Sequence, residues 1–549
     1  MNKHIFYKQL QSLLLITGWS FFISPFPSFA ADFSTCSAST ITRSRPPQEA
    51  IFVEGTPLKI IGSTVFKSQD FKQALQAAKI NYQSEIDNTI INSKIADIIT
   101  QLYADRQYIT SKAIAINNVI EITEGSLESI QIKGTQRLNP AYLCDRIQRA
   151  SLAPLNTQAL EEQLRLLKAD PLFSNVEAVL QESGQPGRSI LRIKVTEASR
   201  FSSGVTVNNY APPAVGAERF GIELRYRNLT GRGDELSGAY SRSFTGGLEV
   251  FDLSYQVPLN ALDGTLQFRI APNRNQITQS PFDQLGIRGK QQVYEVNYRQ
   301  PLVRSSEQEL ALSLGFTYQQ GQTFLFDQLP RPFGLGPDAD GVSRTSVLKF
   351  GQEYVKRDAQ GAWALRSQFN LGIGIFNATT NADPIPDGRF ISWSGQIQRG
   401  QRLGDRHLLL AQAEVQLTPH SLLPAQQFVI GGGQSIRGYR QNARSGDNGF
   451  RFSLEDRISI AFDKSGVPSL QLIPFVEVGK VWNQAKNPNR LPEQTLLGSA
   501  GLGVLWDRAL GLKGLSLRLD YGFPFIQLDD RGSNLQDNGF YFSVRYQPR

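Results

Sequence analysis

Histidine is nearly absent from this chain. Only His4, His407 and His420 occur in 549 residues, so no histidine metal cluster can be built, and a Ser-His-acid nucleophile has little to draw on. Cysteine is scarcer still, limited to Cys36 and Cys144. Two readings stand for that pair: one bridge between the N-terminal segment and the second repeat unit, or two unpaired thiols. After the first thirty residues no run reaches about 18 consecutive apolar residues, which excludes membrane-spanning helices. There is no dense block of one charge sign either. The formal net charge of +8 is spread along the chain, which lends weak support to an anionic partner and leaves no nucleic-acid partner expected.

What is present falls into three parts. Lys3 and Lys8 precede an apolar run over residues 13–22, and Ser28-Phe29-Ala30 before Ala31 fits a cleavage site, so residues 1–30 read as a signal peptide. Residues 31–50, rich in Ser, Thr, Arg and Pro and ending near Arg45-Pro46-Pro47, read as a linker without helical periodicity. From 51 to about 199 the chain repeats itself. Gly62-Ser63-Thr64 with Phe66, Phe71, Leu75 and Ala78 aligns without a gap on Gly134-Thr135-Gln136 with Leu138, Leu143, Ile147 and Ala150, and Ile122-Thr123-Glu124 answers Val195-Thr196-Glu197. Ser84 with Asp87 resembles a capping box, and Ile91, Ile95, Ile98 and Leu102 keep helical spacing, as do Leu160, Leu164 and Leu167 before Ala169-Asp170-Pro171. Two tandem β-α-α-β-β modules follow, over residues 51–125 and 126–199.

Past residue 200 the helical period disappears and a period of two replaces it. Residues 515–521, LSLRLDY, alternate strictly; so do Leu310, Leu312, Leu314, Phe316 and Tyr318 against Ala311, Ser313, Gly315 and Thr317. About sixteen such runs of roughly ten residues lie between Phe201 and Tyr546, the length a tilted strand needs to cross a bilayer. Aromatics end the apolar runs, as at Tyr318, Tyr521, Phe523 and Tyr546, where interfacial girdles belong. Polar loops over 377–389 and 483–493 alternate with tight turns such as 357–361. The fold class expected is a sixteen-stranded transmembrane β-barrel over 200–549, preceded by two α+β modules. Arg232-Gly233-Asp234 reads as a turn, and Gly501-Leu502-Gly503 lacks the context of a dinucleotide loop. Inward acids such as Glu414 and Asp520 have no nucleophile motif beside them, so no enzyme is expected.

Several stretches then carry a family resemblance: NLTGRGDEL over 228–236, YQVPL over 255–259, YRQPL over 298–302, QFVIGG and RGY within 427–439, and PFVEVGKVW over 474–482. In this order the chain resembles the two-partner secretion transporters, the TpsB family that exports haemolysins and filamentous haemagglutinins, within the superfamily that joins polypeptide-transport-associated (POTRA) domains to a barrel. The resemblance implies that residues 51–125 and 126–199 are periplasmic POTRA domains, that the barrel sits in the outer membrane, and that a secreted passenger protein crosses it without ATP or any cofactor. The alternative it leaves is a barrel-assembly insertase of the same superfamily.

The resemblance also implies a lock between the sixth extracellular loop and a barrel strand. In 475–479 the period of two sends Val476 and Val478 to one face, and Glu477 and Gly479 to the other. A lumen carboxylate needs a cation, and a glycine-hinged loop folded inward would deliver Arg437, flanked by Gly438 and Tyr439, as a bidentate fork. Gly479 is expected to leave room beside the acid. Glu477 stands where the family usually has Asp, one methylene shorter.

Overall fold

The computed structural model describes residues 34–37, 50–53, 56–79, 88–326 and 328–548. The expected signal peptide, Ser84 and Asp87 of the expected capping box, and most of the linker lie outside them. The chain divides into two units, one ending at Ser199 and one holding the barrel.

In the first unit each repeat builds a four-stranded sheet covered by two helices. The first sheet runs in the order Ala50–Val53, Thr56–Ile61, Val119–Thr123, Lys112–Ile116, with helices Ser68–Ala77 and Asn88–Asp105. Its core joins Phe66, Phe71 and Leu75 to Ile91, Ile95, Ile99 and Tyr103. The buried stripe of the second helix thus steps by four residues, and Ile98 and Leu102, expected within it, are only partly buried at its flank. The second sheet runs Ser34–Ser37, Ser126–Lys133, Arg188–Glu197, Phe173–Glu182, with helices Ala141–Gln148 and Thr157–Ala169.

The repeat has a physical cause. Gly62 and Gly134 hold φ of +95° and +98°, and a Cβ on either would strike the carbonyl oxygen of Ile122 or Val195, so the turn requires glycine at both places. The acid two residues after that carbonyl then fills the turn. Glu124 accepts from the Thr64 amide at 2.7 Å, and Glu197 accepts from the Gln136, Arg137 and Leu138 amides at 2.8, 3.1 and 3.0 Å. In the first module the Tyr103 hydroxyl also donates to Glu124 Oε1 at 2.8 Å.

The linker reading fails at its start. Ser34–Ser37 form a strand antiparallel to Ser126–Lys133, and Cys36 is disulfide-bonded to Cys144 on the helix above, with Cα atoms 6.2 Å apart. Four small polar residues carry no periodicity of their own, and a partner some ninety residues away defines them.

The second unit is a closed antiparallel barrel of sixteen strands. They are β1 (Phe201–Asn208), β2 (Arg219–Arg227), β3 (Glu235–Ser243), β4 (Leu248–Pro258), β5 (Thr265–Ile270, continued by Asn273–Gln276) and β6 (Arg288–Arg304). Then come β7 (Gln308–Leu325), β8 (Val342–Arg357), β9 (Gly361–Ile373), β10 (Ile391–Leu403) and β11 (His407–Leu417). The last five are β12 (Asn448–Phe462), β13 (Pro468–Trp482), β14 (Leu496–Asp507), β15 (Leu515–Pro524) and β16 (Phe540–Tyr546), and β16 pairs back onto β1. Closure gives every strand a neighbour on both sides, as hydrocarbon demands, where each orphan amide would be costly. Leu314, Trp363, Phe369, Leu371, Leu519 and Phe523 stand exposed on the outer wall. The inner wall pairs its charges across strands: Arg269 with Asp252 at 2.6 Å, Arg299 with Glu309 and Glu353 at 2.6 and 2.7 Å, and Lys349 with Glu295 at 2.9 Å. Turn 357–361, ending in Gly361, closes β8 onto β9, and the polar stretches 377–389 and 483–493 lie in the connections that follow β9 and β13.

Candidate functional site

The connection between β11 and β12, residues 418–447, folds back on itself. Phe428–Ile430 pairs with Arg444–Gly446 as a short hairpin at its base. Gly431 and Gly432 then take φ of +103° and +104°, values L side chains rarely adopt, and the Gly432 amide donates to the Ile436 carbonyl at 3.0 Å. This tight return drives the tip, Ile436-Arg437-Gly438-Tyr439, against the inner wall, where Ile436, Arg437 and Tyr439 are all buried.

The tip touches five consecutive strands. Arg437 is the hub. Its main-chain amide donates to Glu477 Oε2 at 2.6 Å, and its Nε and Nη2 donate to Glu477 Oε1 at 3.0 and 2.6 Å. Its Nη1 donates to Asp520 Oδ1 on β15 at 2.9 Å, and Nη2 lies 3.2 Å from Glu455 Oε2 on β12. The guanidinium carbon sits 3.3 Å over the Phe475 ring, a stacking that an ammonium could not reproduce. Ser453 Oγ donates to the same Glu477 oxygen at 3.1 Å.

One cation against three carboxylates would leave the cluster with excess negative charge. Two further arginines correct it. Arg518 donates from Nε to Asp520 Oδ2 at 2.7 Å and from Nη2 to Glu455 Oε2 at 3.1 Å, and Arg457 donates from Nε to Glu455 Oε1 at 2.8 Å. Three arginines therefore face Glu455, Glu477 and Asp520, and the cluster is neutral as a set. Burial of ions is tolerated only when they are paired and hydrogen-bonded in this way.

The flanking residues are set by close backbone approach. Gly438 has φ of +96°, and its amide donates to the Tyr541 hydroxyl at 2.9 Å while that hydroxyl donates to the Tyr439 carbonyl. Tyr439 Oη donates to the Gly498 carbonyl at 2.7 Å on β14. Gly479 serves a purpose other than the one expected: a Cβ there would meet Ile436 Cδ1 at 2.7 Å, so the space it leaves is taken by the loop's isoleucine and the acid has no need of it.

The arrangement joins Arg437, Gly438, Tyr439, Glu477 and Gly479 in one place. Sequence reasoning missed Glu455, Gly522 and Tyr541, and read Asp520 only as an inward acid. Gly522 had a signal. A glycine inside an alternating strand marks close approach of another backbone, and a Cβ on Gly522 would lie 2.5 Å from the Gly438 nitrogen. Among the described residues no group of His, Cys, Asp and Glu is placed to hold a metal ion.

Residues 187–505 match the family described as haemolysin secretion/activation protein ShlB/FhaC/HecB. The chain is similar to the outer membrane transporter CdiB of Dickeya dadantii, at 22% identity over 484 residues, 84% of this chain and 81% of that one. It is also similar to the heme/hemopexin transporter protein HuxB of Haemophilus influenzae, at 24% identity over 437 residues, 76% and 75% of the two chains. Among solved structures, CdiB from Escherichia coli superposes with a TM-score of 0.70 over 99% of this chain and 98% of that one, at 18% identity. BamA from Haemophilus ducreyi lacking POTRA domains 1–3 superposes with a TM-score of 0.54 over 91% and 100%, at 16% identity. Those two likenesses speak to the fold. With the family match spanning more than half of a chain that closes a sixteen-stranded barrel, the protein belongs to the haemolysin secretion/activation (TpsB) family of outer-membrane transporters.

Proposed function

We propose that this transporter exports one secreted protein, which the two modules over 51–199, acting as POTRA domains, capture in the periplasm and hand to the barrel lumen. The observation that carries the reading is an edge. Each sheet ends in a strand whose outer side meets no other described strand, Lys112–Ile116 in the first module and Phe173–Glu182 in the second. Such edges bind an extended chain through main-chain hydrogen bonds and so tolerate varied sequence. The inner wall pairs charges across its strands, a polar lining that suits the passage of an extended polypeptide. No nucleotide is used; passengers that fold outside are removed from the equilibrium, which draws the rest through. Loop 431–441 is a two-state element whose docked form, held by the Arg437 cluster, keeps the pore wall organised.

A second reading, insertion of other barrels into the membrane, is favoured by one feature. The seam between β16 and β1 pairs only from Val205 with Tyr546 to Asn208 with Ser543, whereas β1 pairs with β2 along its full length. Export is tested by deleting residues 51–125. The shortened protein should insert and conduct ions in planar bilayers yet secrete no passenger; continued secretion would overturn the capture role.

A further inference from the structure

The other edge of each sheet is occupied, and by different means. In the first module Ala50–Val53 covers the outer side of Thr56–Ile61 as the arm of a hairpin, a local pairing that needs no help. In the second, Ser34–Ser37 covers the outer side of Ser126–Lys133, with Cys36 opposite Ile130. That strand is four residues long and reaches its partner across 88 residues of chain, so its pairing alone must overcome a large closure entropy. The disulfide from Cys36 to Cys144, closing a separation of 108 residues, supplies the constraint.

We infer that the outer side of Ser126–Lys133 is a second peptide-binding edge, that Ser34–Ser37 is its built-in occupant, and that the Cys36–Cys144 disulfide latches it shut. The displacing ligand is an extended segment of exported polypeptide. Its chemistry follows from what Ser34–Ser37 presents. Cys36 packs against the module core and is bonded to Cys144 of the overlying helix. The incoming strand therefore places one small side chain there, with Ser, Thr or other polar residues on either side. Opening is a thiol–disulfide exchange with a dithiol: the Cys36–Cys144 S–S bond breaks, both residues become thiols, and the dithiol leaves as a disulfide. The identity of the ligand as exported protein rests on the capture role proposed above, whereas the opening of the edge does not.

The test uses the full-length protein in detergent and a labelled synthetic peptide copying residues 31–40 with Cys36→Ala. In the oxidised protein the amides of Ser126–Lys133 should be protected from hydrogen exchange and the peptide should not bind. After reduction by dithiothreitol, and in the Cys36→Ser/Cys144→Ser variant without reductant, protection of that strand should fall at least tenfold and the peptide should bind saturably. Protection of the central strand Arg188–Glu197 should stay unchanged in both. Unchanged protection of Ser126–Lys133, no saturable binding to the serine variant, or equal binding to the oxidised protein each overturns the inference. Loss of protection throughout the module does so as well, because the bond would then hold up the fold and gate nothing. Deleting residues 51–125 touches neither cysteine, so the capture reading fails or stands separately.

Discussion

Replacing Arg437 with alanine removes the hub of the docked loop, and the size of the perturbation can be worked from the charges around it. The substitution leaves Glu455, Glu477 and Asp520 facing only Arg457 and Arg518, one buried negative charge in excess. Removing one partner of a buried pair costs about 3–5 kcal/mol. At about 1.4 kcal/mol per factor of ten, the loop loses roughly two to three and a half decades in its docking equilibrium. Glu477→Gln is milder, because Arg437 keeps Asp520 and Glu455; losing hydrogen bonds to a charged partner costs about 1.5–3 kcal/mol. The double variant restores balance, with two arginines facing two acids. It should therefore secrete better than the sum of its parts, with a coupling of about 0.5–3 kcal/mol on the scale seen for residues in contact. The assay is passenger yield in the medium, normalised to folded barrel in the outer membrane. Strictly additive losses would refute the reasoning, since they would mean that the two side chains do not share one cluster when the protein works.

Gly522→Ala should reproduce the Arg437→Ala defect with normal insertion, because its methyl group would occupy the place of the Gly438 amide; normal secretion would show that the tip is not docked in the working state. Engineered cysteines at Val207 and Val544, which pair across the seam, should leave secretion intact when oxidised, and their closure would abolish function only if substrates leave sideways into lipid. Burial pushes the Tyr103 phenol well above its usual range. The folded first module thus favours the neutral phenol, so stability is fully present below the unfolded value of about 10 and falls above it by about 1.4 kcal/mol per pH unit. Urea unfolding of the modules at pH 9 and pH 11 should show this slope, and Tyr103→Phe should reduce it.

The parts of this molecule that a short repeat can encode were open to reading from the chain. Alternation such as Leu515 to Tyr521 places each side chain inside or outside the barrel, so Glu477 could be sent to the lumen and matched with a loop cation. The same rule could not select Asp520 and Glu455 from Glu295, Glu353 and Glu414, which also point inward and find other partners. That choice depends on which strands the loop tip reaches, a matter of barrel curvature and loop path. Ser34–Ser37 was illegible for a related reason. A strand of four small polar residues draws its identity from Ser126–Lys133 and from a disulfide, and neither leaves a periodic trace. Helix Asn88–Asp105 shows the limit of spacing alone: Ile91 and Ile95 fit two apolar stripes, and only packing against Phe66 selected the one through Ile99 and Tyr103.

The central claim, export through the lumen without nucleotide, is tested most directly by reconstitution. The purified chain is inserted as the sole protein into liposomes, and a secreted passenger protein is presented unfolded on the module side. Protease added to that side should progressively lose access to the passenger in the absence of any nucleotide, at a rate that collapses with Arg437→Ala. A passenger that stays fully digestible, or that crosses only when ATP is supplied, would contradict the account.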